Sequence, residues 1–321
     1  MNKWVGFWIL GIVWGSSYLL IRIGNEQVSP FQLVFIRTAI AAIGLNVVLS
    51  IRGKHLPFNP RQFLPLLILG IINTIIPFAL ITWGEQTVDS GVASVLNSTT
   101  AFFTLVIAHF AFADERITVR KLAGVLVGFV GVIVLASSSW AGGELQTGSL
   151  IGQLAIVLAS LSYGFGSTYG RGVVKQLKDP LVVSAGAMTT AAILSGILML
   201  ITPLFGGQPI TPFNELHGDA LASLLILGAV NTFIAYLLYY WLIQELGASR
   251  TSMVTYVIPP VGIALGALIL NEPIDSRLIL GGFLILLGIA VVNLKVFGRK
   301  TAAVAVPDPS ADIEAVSEPA A

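Results

Sequence analysis

Apolar segments of about 20 residues follow one another along almost the whole chain, separated by short charged, polar or proline-containing stretches. A helix needs about 20 mostly apolar residues to cross the roughly 30 Å hydrocarbon core of a bilayer, whereas a barrel strand needs only about 10 of alternating polarity. The sequence therefore predicts an all-α polytopic membrane protein. Ten transmembrane helices are predicted, at 4–23, 30–51, 63–82, 90–112, 119–138, 150–169, 180–204, 219–242, 247–270 and 277–297.

The composition agrees with a membrane protein and excludes several other classes. Of the 321 residues, 55% are hydrophobic and 10% are charged, whereas ordinary soluble proteins have about 25% charged residues. The formal net charge is only +1, so the chain has no basic field with which to bind a nucleic acid. It contains no cysteine, which excludes disulfides, thiolate metal sites and a cysteine nucleophile.

The distribution of Lys and Arg predicts the orientation in the membrane. Fourteen of these 17 residues fall on one side of the predicted spans, two fall on the other side, and Arg37 lies inside a span. Cytoplasmic loops carry the excess of positive charge. We therefore expect both termini of this integral membrane protein in the cytoplasm. Residues 298–321 contain three prolines and four acidic residues, and they are predicted to form a disordered cytoplasmic tail.

The chain also contains an internal repeat. The sequence Leu-Ile-Leu-Gly at 67–70 recurs at 225–228, and Asn73-Thr74 recurs at the same offset as Asn231-Thr232. Each copy holds five spans, and because five is odd, the two copies must enter the membrane from opposite sides. Inverted repeats of this kind suit alternating access. The predicted domains are a first five-helix repeat at 1–140 and a second at 150–297.

Several short motifs, some of which recur in the second copy, carry a family resemblance. They are Trp14-Gly15-Ser16-Ser17-Tyr18, Asp114-Glu115-Arg116 with Gly124 and Gly131, and the echo formed by Pro259, Glu272, Gly281 and Gly288. With these motifs, the chain resembles the EamA-type branch of the drug/metabolite transporter (DMT) superfamily over about residues 1–297. The resemblance implies a basket-like fold of two inverted five-helix repeats in an inner-membrane carrier. It also implies that helices one, three, four, six, eight and nine surround the cavity. Most members export amino acids and related metabolites, but the family is broad, so the substrate does not follow.

Polar and aromatic side chains inside these spans are candidates for substrate binding, because a polar group in hydrocarbon is costly unless it is paired or faces water. The alternative is that Asn, Ser and Thr only hydrogen-bond between helices or to their own backbone, and that the repeat-related Asn73 and Asn231 brace the two halves. The predicted substrate-binding residues are Trp14, Ser17, Tyr18, Asn73, Asn97, Tyr163, Asn231, Tyr236 and Tyr256.

Arg37 is the charged residue that lies well inside a predicted span. Its planar guanidinium group could bind a substrate carboxylate. The alternative is that it extends toward the outer surface or bonds to carbonyl groups at a helix end. Pro77, Pro259 and Pro260 also lie inside spans, and they are candidate hinges because proline removes a backbone donor.

No acidic residue lies near the middle of a predicted span. Glu85, Glu115, Glu245 and Glu272 all fall at span ends, whereas proton-driven carriers usually use a buried carboxylate. We therefore hypothesise that transport does not depend on a carboxylate at the membrane centre. Glu115 and Glu272 are interpreted as structural residues that cap the following helix or pair with arginine.

These features together predict a secondary transporter that moves small polar metabolites, most directly amino acids or related compounds, and exports them. The alternatives are a drug or nucleotide-sugar carrier of the same superfamily and a non-transporting membrane scaffold or receptor. An enzyme is not expected, because the sequence has no Gly-x-Ser-x-Gly elbow and no metal-binding cluster. The expected partners are the small-molecule substrate and the lipid bilayer, with no cofactor, metal or nucleic acid. Small-residue motifs such as Gly11-x-x-x-Gly15 could pack within the chain or form a homodimer.

Overall fold

In a computed structural model the chain is a bundle of helices, described for residues 2–57, 59–112, 117–137, 147–246 and 251–293. By length and composition, α1 to α8 are suited to cross a membrane, and α9 and α10 are shorter apolar helices. The prediction of an all-α polytopic membrane protein is confirmed, while the predicted tail at 298–321 lies outside the described residues. The ten helical spans are α1 Lys3–Asn25, α2 Pro30–Ile51, α3 Pro60–Gly84, α4 Ser90–Ala111, α5 Val119–Ala136, α6 Thr147–Leu177, α7 Pro180–Ile201, α8 Gly218–Leu246, α9 Met253–Ile269 and α10 Ser276–Asn293.

Large apolar side chains cover the outside of the bundle. Phe110 on α4, Ile43 on α2 and Leu268 on α9 are all exposed. A soluble monomer rarely exposes so much contiguous apolar surface, whereas lipid tails are as apolar as these side chains. The outer surface is therefore the one that faces the hydrocarbon of a bilayer.

At each end of the bundle, a different set of contacts joins the two repeats. We call the end where α1 stops the Arg22 end, and the opposite end the Lys54 end. At the Arg22 end, Gln32 exchanges two hydrogen bonds with the backbone of Thr211, at 2.7 and 3.0 Å. At the Lys54 end, the Lys54 ammonium lies 2.5 Å from the Asp179 carboxylate. Both contacts join the first five helices to the second five.

Repeat-related helices pack against each other. The most extensive contacts pair α5 with α10, and α2 with α7. A Cβ atom on Gly124 would lie 2.7 Å from the carbonyl oxygen of Gly288, and one on Gly131 would lie 2.6 Å from that of Gly281. Only glycine permits such close backbone approach. Because Gly124 corresponds to Gly281 and Gly131 to Gly288, these two contacts are equivalent under the exchange of the repeats.

Other small-residue motifs also face helices of the same chain. A Cβ atom on Gly11 would lie 2.6 Å from Val257, and one on Gly15 would lie 2.6 Å from Val261. Both valines belong to the α9 region, so the Gly11-x-x-x-Gly15 motif brings α1 and α9 together. The motif therefore packs against another helix of the same chain.

The α-helical pattern is interrupted at equivalent places in α3 and α8. Residues Ile71–Ile75 and Ala229–Ile234 form π-helical turns, and they contain the repeated Asn-Thr pairs. The Thr232 hydroxyl donates to the Leu227 carbonyl group, five residues back, at 2.8 Å. Pro77 follows the first π-helical turn, but the corresponding residue after the second turn is Ala235. The π-helical turns therefore do not require proline.

A second pair of interruptions lies in α4 and α9. The first is a turn at Ser98 and Thr99 between the helices Ser90–Asn97 and Thr100–Ala111. The second is the 3₁₀ segment Ser252–Tyr256, which precedes the α-helix Ile258–Ile269. Pro259 and Pro260 fall in the first turn of that α-helix, where a missing backbone donor is tolerated. The candidate hinges thus lie beside segments that already depart from α-helical geometry.

The glycine contact between α5 and α10 can be tested with two alanine substitutions. Gly131→Ala would place a Cβ atom against the Gly281 carbonyl oxygen, and overpacking of this kind costs about 1–3 kcal/mol. Gly172→Ala on α6 is the matched control, because its Cβ atom would meet nothing within 4 Å. We expect thermal unfolding in detergent to show a lower midpoint for Gly131→Ala and an unchanged or higher midpoint for Gly172→Ala. Equal shifts would contradict the proposed close packing.

Candidate functional site

Arg37 lies inside the bundle and is held by both repeats. Its side chain is 7% exposed, and its Nε donates to the Thr232 hydroxyl at 2.7 Å. The guanidinium carbon lies 4.1 Å from the centre of the Phe78 ring, which is a cation–π contact. Arg37 belongs to α2, Phe78 to α3 and Thr232 to α8. The alternative in which Arg37 extends to the surface is therefore not what the structure shows.

The π-helical turns explain why Thr232 and Phe78 can reach Arg37. A π-helical turn offsets the side chains that follow it, and such turns are frequent at functional sites. Thr232 lies within the π-helical turn of α8, and Phe78 follows that of α3. In the first repeat, the buried hydroxyl of Thr74 has no hydrogen-bond partner among the described residues. The position equivalent to Arg37 in the second repeat is Ala187, so only one of the two Asn-Thr pairs receives an arginine.

Tyrosine side chains surround the guanidinium group. The hydroxyl groups of Tyr163, Tyr236 and Tyr18 are within electrostatic range of Arg37. Tyr236 is the repeat mate of Phe78, so equivalent aromatic positions of the two halves both lie near one cation. Within the described residues, Arg37 donates a side-chain hydrogen bond only through Nε. The two terminal nitrogens thus keep their donors for a ligand.

Asn97 connects three helices next to this cluster. Its Nδ2 donates to the Tyr18 hydroxyl at 2.7 Å, and its Oδ1 accepts from the Ser160 hydroxyl at 3.3 Å. These residues come from α4, α1 and α6. The bond fixes the orientation of the Tyr18 hydroxyl, which also faces Arg37.

Asn231 and Asn73 have different surroundings although they are repeat mates. Asn231 is buried, and its Nδ2 donates to the Val13 carbonyl group and to the hydroxyls of Ser16 and Ser17. This arrangement braces α8 against α1, the alternative that the sequence left open, and it engages Ser17 as well. The Oδ1 of Asn231 is buried without a partner in the described part of the chain. Asn73 is half-buried and lies against Gly166 of α6.

Two aromatic candidates have partners on α8 and α10. The ring of Trp14 is 5.3 Å from that of Tyr239, centre to centre, in the cluster between α1 and α8. The Tyr256 hydroxyl donates to the Ile289 carbonyl group of α10 at 2.9 Å. The structure therefore places Tyr18, Tyr163 and Tyr236 within electrostatic range of Arg37, with Asn97 bonded to Tyr18. Trp14 contacts Tyr239 of α8, and Tyr256 bonds to the backbone of α10.

Reasoning from the sequence did not identify three residues that contact Arg37 or Asn97 in the candidate site. Phe78 reads as an ordinary apolar residue, Ser160 reads as a backbone-bonded serine, and Thr232 was noted only as part of the repeat. The available signal was the repeated Asn-Thr pair, because a polar pair at equivalent points of two spans is costly unless it is used. Nothing in the local sequence pairs Thr232 with Arg37, which is 195 residues away.

Glu272 caps a helix, but not the one that follows it. Its carboxylate accepts hydrogen bonds from the Ser90 amide at 2.8 Å, the Ser90 hydroxyl at 2.9 Å and the Gly91 amide at 3.0 Å. These donors form the N-terminus of α4, where a negative charge is favourable. The expected cap is therefore formed across the repeats. Its mate Glu115 lies outside the described residues.

A separate cleft of about 540 Å³ opens between α4 and α6 toward the Lys54 end. Its lining includes Phe112, Phe165 and Tyr169, and none of the predicted substrate-binding residues. Among the residues with described positions, no three His, Cys, Asp or Glu side chains are grouped as a metal site requires.

The bond between Arg37 and Thr232 can be tested by stability. Thr232→Val keeps the shape of the side chain but removes the acceptor, and a hydrogen bond to a charged group contributes about 1.5–3 kcal/mol. Thr232→Ser keeps the hydroxyl and serves as the control. We expect thermal unfolding in detergent to show a clear loss for Thr232→Val and a smaller loss for Thr232→Ser. Equal losses in the two variants would contradict a larger contribution of the hydroxyl group than of the methyl group.

Comparison with known proteins identifies relatives that match this chain over most of its length. An "Uncharacterized transporter" from Archaeoglobus fulgidus is 29% identical over 92% of this chain and all of that protein. The "Uncharacterized inner membrane transporter YedA" of Escherichia coli is 32% identical over 80% of this chain and 79% of the relative. A "Probable amino-acid metabolite efflux pump" of the same species is 26% identical over 90% of this chain and 93% of the relative.

A solved crystal structure shares the fold, with a TM-score of 0.63 over 90% of this chain and 96% of that chain, at 18% sequence identity. The sequence profile of the EamA-like transporter family matches this chain twice, at residues 3–137 and 150–294. The two matches cover nearly all of the described helices. The chain therefore belongs to the EamA-like transporter family and is a membrane transporter.

Proposed function

We propose that this transporter carries small polar metabolites with one carboxylate group, most directly amino acids or related compounds, and exports them from the cell. The observation that carries the proposal is the buried guanidinium of Arg37, held by Thr232 and Phe78 while its terminal nitrogens keep their donors. A planar guanidinium binds a carboxylate through two parallel hydrogen bonds. The substrate then lies between the two repeats, near the middle of the membrane.

The neighbours of Arg37 favour a substrate of low net charge. Tyr18, Tyr163, Tyr236 and Asn97 are neutral side chains that can both donate and accept hydrogen bonds. Arg37 is the charged residue placed well inside a span by the sequence, and one cation balances one carboxylate. A substrate with several phosphates would need a cluster of Lys and Arg. The relative named a "Probable amino-acid metabolite efflux pump" gives further support.

The same proposal includes an orientation and a cycle. The excess of Lys and Arg supports an orientation in the plasma (inner) membrane with the Lys54 end and both termini in the cytoplasm and the Arg22 end outside. The contacts at the two ends join the repeats, so breaking one set at a time exposes the centre to one side at a time. Transport then occurs by alternating access between the two inverted repeats.

Counterflow in proteoliposomes tests the substrate class. Vesicles are loaded with a mixture of unlabelled amino acids, and uptake of a labelled panel is measured together with the decarboxylated amine of each positive compound. We expect uptake of an amino acid but not of its amine. Arg37→Gln should reduce this uptake by about 10- to 100-fold, because a bond between charged groups contributes about 1.5–3 kcal/mol. Arg61→Gln, which changes an exposed arginine, should leave it unchanged.

Three outcomes would contradict parts of this proposal. Equal transport of the amine and the amino acid would remove the role of Arg37 as a carboxylate contact. Uptake only of bulky cations or nucleotide sugars would favour a drug or nucleotide-sugar carrier. Failure of the folded protein to transport any solute of the panel or of these rival classes would favour a scaffold or receptor.

A further inference from the structure

A buried carboxyl group lies at the Arg22 end, separate from the contacts of the candidate substrate site. Glu85 directly follows α3, in the turn before α4, and its side chain is 0% exposed. Neither of its carboxyl oxygens accepts a hydrogen bond from any residue that the structure describes. A buried carboxylate without partners costs several kcal/mol, whereas the neutral acid costs much less.

The groups around Glu85 do not offer it a counterion of its own. From α1, Arg22 donates its Nη1 proton to the backbone carbonyl of Glu85 rather than to the carboxyl group. Burial, and after it the carboxylate of Glu272, raises the pKa of Glu85 well above its ordinary value, although Arg22 and Arg37 act in the opposite direction. Glu272 already accepts three hydrogen bonds as the cap of α4. Glu272 therefore adds a negative charge near Glu85.

The titratable groups that face this region come from every element around it. Helix α1 contributes Arg22 and Tyr18, α2 contributes Arg37, the α3–α4 turn contributes Asp89, and the α9–α10 turn contributes Glu272 and Asp275. Burial, followed by Glu272, also raises the pKa of Asp89. Glu85 is within electrostatic range of both Arg22 at the end of α1 and Arg37 of the candidate substrate site.

Other polar atoms beside Glu85 also lack partners. The Nδ2 of Asn25 donates to the Thr82 carbonyl group at 2.6 Å, which ties the end of α1 to the end of α3. Yet the Oδ1 of Asn25 and the hydroxyl of Thr82 are buried without a partner among the described residues, as are both oxygens of Glu85. Buried polar atoms normally have partners. This group of four oxygens would gain hydrogen bonds if water entered the Arg22 end.

The contacts that keep water out join the two repeats. They include the Glu272 cap on Ser90 and Gly91, the paired bonds between Gln32 and Thr211, and the bond from the Thr87 hydroxyl to the Gly148 carbonyl group at 3.0 Å. When the repeats separate at this end, these contacts break and Glu85 becomes hydrated. A hydrated glutamate ionises with a pKa of about 4.3.

Building on the alternating access of the proposed function, we propose that Glu85 is a proton-binding site, occupied while the Arg22 end is closed and emptied when that end opens to water. The ligand is the proton itself. It binds one carboxyl oxygen from the outer side, and it leaves to water when the end opens. Proton binding then favours the closed end, so external pH sets how often the carrier faces outward.

The direction of this pH effect follows from linkage. The closed state holds the proton more tightly than the open state, so its stabilisation is complete below the pKa of the hydrated carboxyl group. The stabilisation is lost as pH rises through the pKa of the closed state. Each unit of difference between the two pKa values changes the ratio of closed to open molecules by up to about tenfold. Low external pH closes the Arg22 end, and high external pH opens it.

Infrared spectroscopy of the full-length protein tests whether Glu85 holds a proton. We expect the wild type at neutral pH to show the carbonyl stretch of a buried, protonated carboxylic acid. This band should be lost in Glu85→Gln and kept in Glu245→Gln, which changes an exposed glutamate at the end of α8. If Glu85→Gln does not fold, Glu85→Asp should shift the band. A band that none of these substitutions moves would overturn the proposal.

Accessibility of a single cysteine tests the link to opening. The chain has no cysteine, so Val88→Cys gives one reporter at a buried position that faces α6. Its labelling by a bulky, hydrophilic maleimide is compared with labelling of the double variant Val88→Cys/Glu85→Gln, so that ionisation of the thiol cancels in the ratio. We expect a ratio near one at about pH 4 or below, where the hydrated carboxyl group is itself protonated, rising toward about tenfold at alkaline pH. A ratio that does not change with pH contradicts the proposal.

Neither measurement uses a transported substrate, so the two proposals can fail separately. If amino-acid counterflow is absent but the band and the labelling ratio behave as expected, Glu85 binds a proton in a carrier of another substrate. If counterflow succeeds while the band is insensitive to Glu85, the proton site is wrong and the proposed function stands.

Discussion

The hydrocarbon core of a bilayer offers no hydrogen-bond partners, and the architecture of this protein follows from that constraint. It requires that the backbone be helical wherever it meets lipid. Where α3 and α8 depart from the α-helix, the π-helical turns contact other helices, and in α8 a side-chain hydroxyl supplies an additional donor to the backbone. Thr232 bonds to the carbonyl group of Leu227 and also accepts from Arg37. The π-helical turn of α8, which would be costly at the lipid surface, thus holds the buried cation of Arg37 inside the bundle.

The two repeats form a symmetric scaffold of helices, whereas the charged residues inside it are not repeated. The α5–α10 and α2–α7 pairs, and the glycine contacts between them, are equivalent in the two halves. The charged groups are not, because Ala187 corresponds to Arg37 and Ile243 corresponds to Glu85. A substrate charge and a proton can therefore be bound at one place each, although the surrounding helices are related by symmetry. The two repeats can therefore exchange conformations while the substrate carboxylate and the proton each keep one binding site.

Glu85 and Arg37 are within electrostatic range of each other. In the proposed cycle, a carboxylate bound at Arg37 and the charge state of Glu85 act on the same part of the bundle. Tyr18 is within electrostatic range of both groups and accepts a hydrogen bond from Asn97, so it is a polar neighbour of both. The hypothesis that transport needs no carboxylate at the membrane centre is compatible with this position, since Glu85 lies just beyond the end of α3.

The sequence by itself determined the class of the protein, its ten spans and its repeat. Each follows from local quantities: the length of apolar runs, the number of charges and the offset between similar segments. It also selected Arg37, Tyr18 and Asn97, because a polar residue within an apolar run is visible without any knowledge of contacts. Helix ends were less certain, as shown by α6, which extends over Thr147–Leu177 where 150–169 was predicted.

Only the tertiary structure decided how these residues are used. The partner of Arg37 is 195 residues away, and the helix that Glu272 caps begins 182 residues before it. Glu85 looked like an ordinary residue at the end of a span, but the next helix begins only five residues later and the second repeat covers the turn. Burial and pairing depend on how distant helices pack, and apolar periodicity carries no information about which helices meet.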